Sequence, residues 1–421
     1  MPDVAVLNVL LYGEPIGTFT RVAGDRTLFA FNEAYIADEN RPVLGLGFKD
    51  KLGRLITDFG PTQTRTLPFF SNLLPEGPLR SYLAQRAGVN PEREFFLLWV
   101  LGMDLPGAVT VIPADGETWP DDGHHDDRHD GDHDRRRDQA LRFSLAGMQL
   151  KFSAVYDASG GLTIPARGVG GSWIVKLPSF KYPGVPENEY SMMTLARLVG
   201  IDVPAIELID LDLIGNLPGG LDDVKGKAFV IERFDRLPDG GAVHIEDFAQ
   251  VFGVYPEAKY DKANMRSIAK VIAAEGEETD IAEFVRRLTF NMLIGNADMH
   301  LKNWSLTYPD RRRVALAPAY DFVSTIAYLR DENFALNVSR SKRFDGFTAD
   351  ELSHLAAKAM LPERLVLDTA RETVALFHQH WQGEKYNLPL ASAVIDAIER
   401  HLKVVPIAAG EGRTGATGAW R

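Results

Sequence analysis

The sequence predicts an α+β chain of two lobes, with a strand-rich N-terminal region that includes a small amino-terminal β subdomain, and a mainly helical C-terminal lobe. Two patterns carry that expectation. Up to about residue 236, apolar residues fall mostly in short runs and alternations broken by glycine and charged turns, which is strand patterning. Beyond that point they recur at helical spacing, in 246–254, 263–274, 281–294, 350–360, 364–381 and 390–403. Polar clusters lie where the two lobes would meet, which predicts a cleft.

Taken in order, 4–12, 15–22 and 27–37 read as short strands separated by Gly13-Glu14 and Gly24-Asp25. A helix follows at L-R-S-Y-L-A-Q-R-A-G, with Gly88 as its C-cap, and then the apolar run E-F-F-L-L-W-V-L-G. This amino-terminal subdomain is expected to span 1–115. Residues 116–140 read as a linker, because 121–138 (D-D-G-H-H-D-D-R-H-D-G-D-H-D-R-R-R-D) holds no apolar residue to offset the entropy of ordering. Four of the ten histidines lie there, but a repeat-like mixture of Asp and Arg fixes no metal geometry. The strand-rich lobe proper spans 141–236, with one helix at N-E-Y-S-M-M-T-L-A-R-L-V-G, and the helical lobe spans 237–405. The stretch 406–421 reads as a flexible tail.

Composition excludes several classes. The 421 residues, 45% hydrophobic and 25% charged, suit an ordinary globular protein with a sizeable core. There is no cysteine, hence no disulfide and no thiolate metal site, which suits a reducing cytoplasm. The opening M-P-D-V-A-V-L-N-V-L-L-Y-G reads as a strand and not as a signal peptide, and no apolar run approaches the roughly 20 residues needed to span a bilayer. A net charge of −12 argues against direct nucleic-acid binding, though not against a DNA-binding adaptor.

The chemistry concentrates in I-G-N-A-D-M-H-L-K-N-W, 294–304, where a helical apolar pattern runs into a polar cluster. Asp298 and Asn303 stand five apart, D-x-x-x-x-N, the separation at which phosphoryl-transfer loops place a base and a metal-binding amide. Either could equally serve a turn or a cap. Asp321 in A-P-A-Y-D-F fits a second oxygen ligand for magnesium, with Phe322 behind it and Val323 where a D-F-G pattern has glycine. Lys176, inside the apolar W-I-V-K-L-P, is expensive to bury unless paired; Glu189 or Glu187 would pair it, and if 172–177 is an edge strand it could point into water. F-V-I-E-R-F-D-R turns abruptly polar, which fits a hinge whose backbone meets an adenine near Glu232 and Phe234. In F-S-L-A-G-M-Q-L-K, the small residues from Ser144 through Ala146 to Gly147 would let backbone N–H groups approach phosphate, and Lys151 adds positive charge; the same stretch could be a plain hairpin.

Together these motifs resemble the HipA family, serine/threonine-kinase toxins of bacterial toxin–antitoxin pairs. L-P-F-F-S-N-L-L-P-E-G-P-L-R and L-G-M-D-L-P-G-A-V-T-V resemble that family's amino-terminal subdomain. S-L-A-G-M-Q-L-K, I-V-K-L-P, E-N-E-Y, E-R-F-D-R, N-A-D-M-H-L-K-N-W and P-A-Y-D-F follow in the family's order. The resemblance implies a two-lobed protein-kinase-like fold using ATP and Mg2+. It makes Asp298 the catalytic base, Asn303 and Asp321 magnesium ligands, and Lys176 a phosphate-holding residue, with Glu232 and Phe234 at the adenine hinge. Ser144 falls at the family's inhibitory autophosphorylation position. Lys302 is expected to neutralise the transferring phosphoryl group and His300 to brace the loop. The family's partners are a helix-turn-helix antitoxin, HipB-like, that carries DNA binding, and protein substrates that include aminoacyl-tRNA synthetases; a membrane partner is not implied. Met148 and Leu150 depart from the family's loop, the first standing where a smaller residue is usual and the second where a polar one is common. Two other readings use the same residues: a small-molecule phosphotransferase, and an inactive co-repressor that only binds an antitoxin.

Overall fold

The computed structural model of the protein describes residues 6–114, 151–156, 161–164, 171–179, 181–217, 224–329 and 332–409. The linker 121–138, the loop residues Ser144, Ala146 and Gly147, and the tail 410–421 lie outside the described residues.

The amino-terminal subdomain is a five-stranded antiparallel sheet with helices against it. Its strands are β1 (Val6–Leu11), β2 (Glu14–Val22) and β3 (Arg26–Phe31); α1 (Glu33–Ala37) follows, then β4 (Thr62–Gln63), α2 (Pro68–Ser71), α3 (Gly77–Ala87), α4 (Glu94–Leu101) and β5 (Val109–Pro113). The sheet order is β4-β3-β2-β1-β5. The strand expected over 27–37 stops at Phe31: Thr27, Phe29 and Phe31 face inward, and after them the helix formers Glu33 and Ala34 start a single turn that buries Tyr35. α3 ends on Gly88 in the left-handed conformation, as its sequence implies. Helix α4 is buried on every side, as its all-apolar run requires.

The second sheet comprises β6 (Lys151–Tyr156), β7 (Leu162–Thr163), β8 (Trp173–Lys176), then, after α5 (Val185–Leu198), β9 (Ile206–Asp210) and β10 (Lys227–Glu232), in the order β7-β6-β8-β10-β9. β8 is therefore an interior strand. The strand period of two divides the side chains between two cores. Phe152, Ala154, Val175, Ala228 and Val230 join the apolar core of the amino-terminal subdomain, while Phe229 and Ile231 face the helical lobe.

That lobe opens with β11 (His244–Asp247) and the single turn α6 (Phe248–Val251), followed by α7 (Met265–Glu275) and α8 (Glu278–Ile294). β12 (Ser305–Tyr308) and β13 (Ala315–Leu316) complete a three-stranded sheet with β11, and α9 (Ala349–Ala359), α10 (Glu363–Glu384) and α11 (Ser392–His401) close the chain. The helix expected over 246–254 is shorter. Its first residues pair with β12, and the capping box of Asp247 and Gln250 sets the helix start at Phe248. Pro406–Ala409, assigned to the tail from sequence, is instead an ordered turn: Ile407 and Ala408 are buried, and the Ala408 carbonyl accepts from His378. Among the described residues no helix is long and apolar enough to cross a membrane.

Candidate active site

Lys151 and Lys176 face each other across the β6–β8 ladder, on the sheet face turned toward the helical lobe. Because strand partners share a face, two cations are brought together, an arrangement that is unfavourable without anions. Two carboxylates supply them. Lys176 Nζ donates to Glu189 on α5 at 2.5 Å and contacts Asp321. Glu189 is buried and Glu187 half-exposed, so Glu189 is the partner. Burial would lower the Lys176 pKa, but Asp321 and Glu189 outweigh it and keep the ammonium charged. Burial pushes Lys151 down to about 8, with the Lys176 charge adding to the effect. Burial likewise pushes Glu189 up to about 7, whereas Lys176 and Lys151 hold Asp321 well below the ordinary carboxylate range against its own desolvation.

Asp321 adopts a left-handed backbone, φ 59°, a conformation Asp tolerates better than most residues. The positive φ lies at Asp321 and not at Val323, which explains why no glycine is needed two residues on. Phe322 is buried and stacks on Phe290 of α8 at 5.6 Å. Asn188 fixes the segment further: its amide donates to the Ser324 carbonyl at 3.1 Å and accepts the Ser324 N–H at 3.0 Å. α5 thereby delivers Glu189 and the 321–324 segment to the same side of Lys176.

The loop 295–303 begins where α8 ends. Gly295 takes φ 67°, and a Cβ there would lie 2.5 Å from Ile326, so glycine is required both for the turn and for the close approach. Asn296 is fully buried; it donates to Asn291 Oδ1 (2.8 Å) and to the Asp321 carbonyl (3.3 Å), and its oxygen accepts the Asp298 N–H (3.1 Å). One side chain thus ties the helix end, Asp298 and Asp321 together. Asn303 Nδ2 donates to the Asp298 carbonyl at 2.8 Å, which leaves Oδ1 as the amide's donor atom for a cation. Asp298 itself is exposed. Desolvation by the surrounding protein raises its pKa, the Tyr260 hydroxyl and Lys259 oppose the rise, and Asp321 adds to it.

Lys302, His300, Glu232 and Phe234 lie around this centre. Lys302, expected at the transferring phosphoryl group, forms an ion pair with Glu76 (2.9 Å) and donates to the Asn72 carbonyl (2.9 Å) of the amino-terminal subdomain. Glu76 also accepts from Lys259 at 2.9 Å, and although burial would raise its pKa the two lysines drive it down to about 2. His300 is buried and edge-on to Tyr260 at 5.0 Å, with burial lowering it to about 3; its Nδ1 has no partner among the described residues, so it braces by packing. Glu232 is exposed, and Phe234 stacks near Tyr320 at 6.0 Å. The N–H groups of Glu232 and Arg233 donate to the Ala205 and Ser172 carbonyls, 2.8 Å each, so an adenine at this hinge would meet carbonyls or the chain from Phe234 onward.

Sequence reasoning assigned no role to Asn188, Asn296, Tyr260, Glu76 or the hinge ion network. In that network, Arg233 and Arg236 clasp Asp104 (2.8 and 3.0 Å) and Asp235 (3.0 and 2.9 Å), and Asp235 also accepts the Gly107 N–H. The available signal was the pairing of two charged motifs, M-D-L-P-G and E-R-F-D-R, whose charges are buried against each other.

Comparison with known proteins agrees with this architecture. Residues 7–112 match the family model for the HipA N-terminal domain, and residues 143–381 that for the HipA-like C-terminal domain. A Sinorhizobium fredii protein bearing the name "Putative kinase Y4dM" is 59% identical over 410 residues, covering 97% of this chain and 98% of its own. The Shewanella oneidensis serine/threonine-protein kinase toxin HipA is 26% identical over 297 residues, 63% of this chain and 65% of its own. The structure of a Shewanella oneidensis HipA–HipB–operator DNA complex shares the fold, with a TM-score of 0.69 and 20% identity over 96% of this chain and 99% of that one. Both halves of the chain match and a relative is matched along almost its whole length: the chain belongs to the HipA family.

Proposed function

We propose that the chain is an ATP-dependent serine/threonine protein kinase and the toxin of a type II toxin–antitoxin pair. The observation that carries this reading is the contact of Lys176, beside Lys151 on the strand-rich lobe, with Asp321 of the helical lobe, where Asn296 ties Asp298 to Asp321 and Asn303 donates to the Asp298 carbonyl. Two lysines on one sheet face suit the phosphates of ATP, and Glu189 and Asp321 are the anions that balance their charges.

The donor chemistry fits Mg2+. Asp321, about a third exposed, and the Asn303 amide oxygen are hard oxygen donors, and magnesium takes one or two protein ligands alongside phosphates and water. Once bound, the cation neutralises charge on the phosphates. Asp298 accepts the proton of the attacking hydroxyl. Lys302 and Lys259, joined through Glu76, hold the loop on the amino-terminal subdomain. The proposal extends to a HipB-like helix-turn-helix antitoxin partner, which the Shewanella oneidensis HipA–HipB complex supports, and to phosphorylation of an aminoacyl-tRNA synthetase, autophosphorylation of Ser144 and residence in the cytoplasm, which rest on the resemblance alone.

The test is incubation of the purified protein with magnesium and radiolabelled ATP, with and without host lysate, beside Asp298→Asn. Label transferred to a lysate protein by the native chain alone is expected. A native chain that neither binds nor consumes ATP would overturn the reading.

A further inference from the structure

We propose that Tyr260 is an acceptor gate: on Asp298 its hydroxyl occupies the position of the substrate's attacking hydroxyl and withholds that position from water until a substrate displaces it. This rests on the kinase reading above.

The geometry is direct. Tyr260 Oη donates to Asp298 Oδ1 at 2.6 Å. A general base works by receiving the proton of the attacking hydroxyl within this same distance range. A hydroxyl already donating to Oδ1 therefore fills the acceptor's place at that oxygen. Burial and the Asp298 charge raise the phenol's pKa, so it stays a donor throughout the accessible pH range.

The residue is also built to move. Tyr260 is 40% exposed, unlike its neighbour Lys259, which is buried. Lys259 is pinned twice, by Glu76 at its ammonium and by the Leu301 N–H at its carbonyl (3.3 Å). With the backbone tethered there, rotation of the Tyr260 side chain toward solvent is the inexpensive motion. The ring's contact with the buried His300 defines the position it returns to.

Such a gate has a chemical purpose. Phosphates held in an open cleft beside a base are exposed to hydrolysis, and excluding water prevents that side reaction. Without the phenol, a water molecule can donate to Asp298. Its oxygen then bonds to the γ-phosphorus as the bond to the β-phosphate oxygen breaks, Asp298 takes the proton, and ADP and phosphate leave. If Tyr260 instead only oriented Asp298, its removal would slow every reaction of the site.

The experiment measures phosphate release from Mg-ATP with no protein substrate present, for the native chain, Tyr260→Phe, Tyr260→Ala and Tyr260→Ala with Asp298→Asn. ADP binding by calorimetry and melting temperature are read in parallel. Hydrolysis should rise about tenfold or more in Tyr260→Ala, a factor within the reach of one lost hydrogen bond, with Tyr260→Phe rising less. Adding Asp298→Asn should abolish the gain. Unchanged or slower hydrolysis in both single variants, with nucleotide binding and folding intact, overturns the gate and leaves the kinase reading standing. A native chain that binds no nucleotide overturns both, and the calorimetry distinguishes that outcome.

Discussion

Asp298 lies between opposing influences, its pKa raised by the protein around it and by Asp321, lowered by the Tyr260 hydroxyl and Lys259. In the proposed mechanism it can accept a proton only when ionised. The activity should therefore fall as pH drops through its raised pKa, and the acid limb of the kcat profile should lie above the ordinary aspartate value of 3.8. Asp298→Asn, nearly isosteric, should cost about 10²–10⁴-fold in transfer while leaving nucleotide binding intact, general-base losses being of that size. A variant with near-native turnover would remove Asp298 from that role. A different titration belongs to His244. Its Nε2–H donates to the Leu44 carbonyl at 2.7 Å and its Nδ1 accepts the Ala108 N–H at 3.4 Å, so the folded chain holds it neutral, with burial lowering its pKa to about 4. Unfolded chains bind a proton there near 6.5 and the folded one does not, so His244 contributes stability above 6.5 that is lost as pH falls toward about 4. The slope is at most about 1.4 kcal/mol per pH unit. The neighbouring Glu246, raised to about 7 by burial, acts in the opposite sense, because its native state keeps a proton that the unfolded chain gives up. Melting curves of the native chain and His244→Gln from pH 7.5 to 4.5 separate the two: the native chain should lose more stability on acidification than the variant.

The pairing of β8 with α5 bears on Lys176→Met. A phosphate-binding lysine on an edge strand could be removed at little structural cost. Lys176 is on an interior strand and compensates a buried Glu189, and leaving one partner of a buried pair typically costs about 3–5 kcal/mol. Lys176→Met should lower the melting temperature at pH 8 as well as weaken nucleotide binding. Adding Glu189→Gln should recover most of the stability and none of the binding. A single variant as stable as the native chain would show that Glu189 needs no cation. Much of this was legible in advance: a lysine inside W-I-V-K-L-P has few reasons to exist, and the D-x-x-x-x-N spacing survives any error in element boundaries. What was not legible depends on chain-distant contacts. Glu187 and Glu189 are distinguished only once α5 docks, and Asn188 meets Ser324 across 136 positions. Tyr260 reads as an ordinary loop tyrosine until the fold lays it on Asp298. The shortfalls at 27–37 and 246–254 arose where a strand passes directly into one helical turn, so that neither period persists long enough to be seen.

Across the molecule, the outer face of the β6–β10 sheet is interior. Phe152, Val175 and Val230 share a core with Leu7, Val9 and Leu98, and the Asp104–Arg233–Asp235–Arg236 cluster clasps the two regions beside it. The amino-terminal subdomain is therefore a structural requirement of the strand-rich lobe, besides supplying Glu76 to the 295–303 loop. A chain beginning at residue 141 would expose that apolar face and leave Arg233 without Asp104. It should be recovered as aggregate, with no cooperative melting transition; a soluble monomer with the native helix content would contradict this.

The same shared core makes the two parts mutually adhesive. A gene divided between residues 114 and 151 would yield two polypeptides whose complementary faces, apolar patch against apolar patch and Asp104 against the arginine pair, can find each other during synthesis. Co-expressed as separate chains, they should purify as a stoichiometric heterodimer. Toxicity would then be an AND gate, silent with either half and restored by both, and growth arrest in a double-plasmid host would read it out.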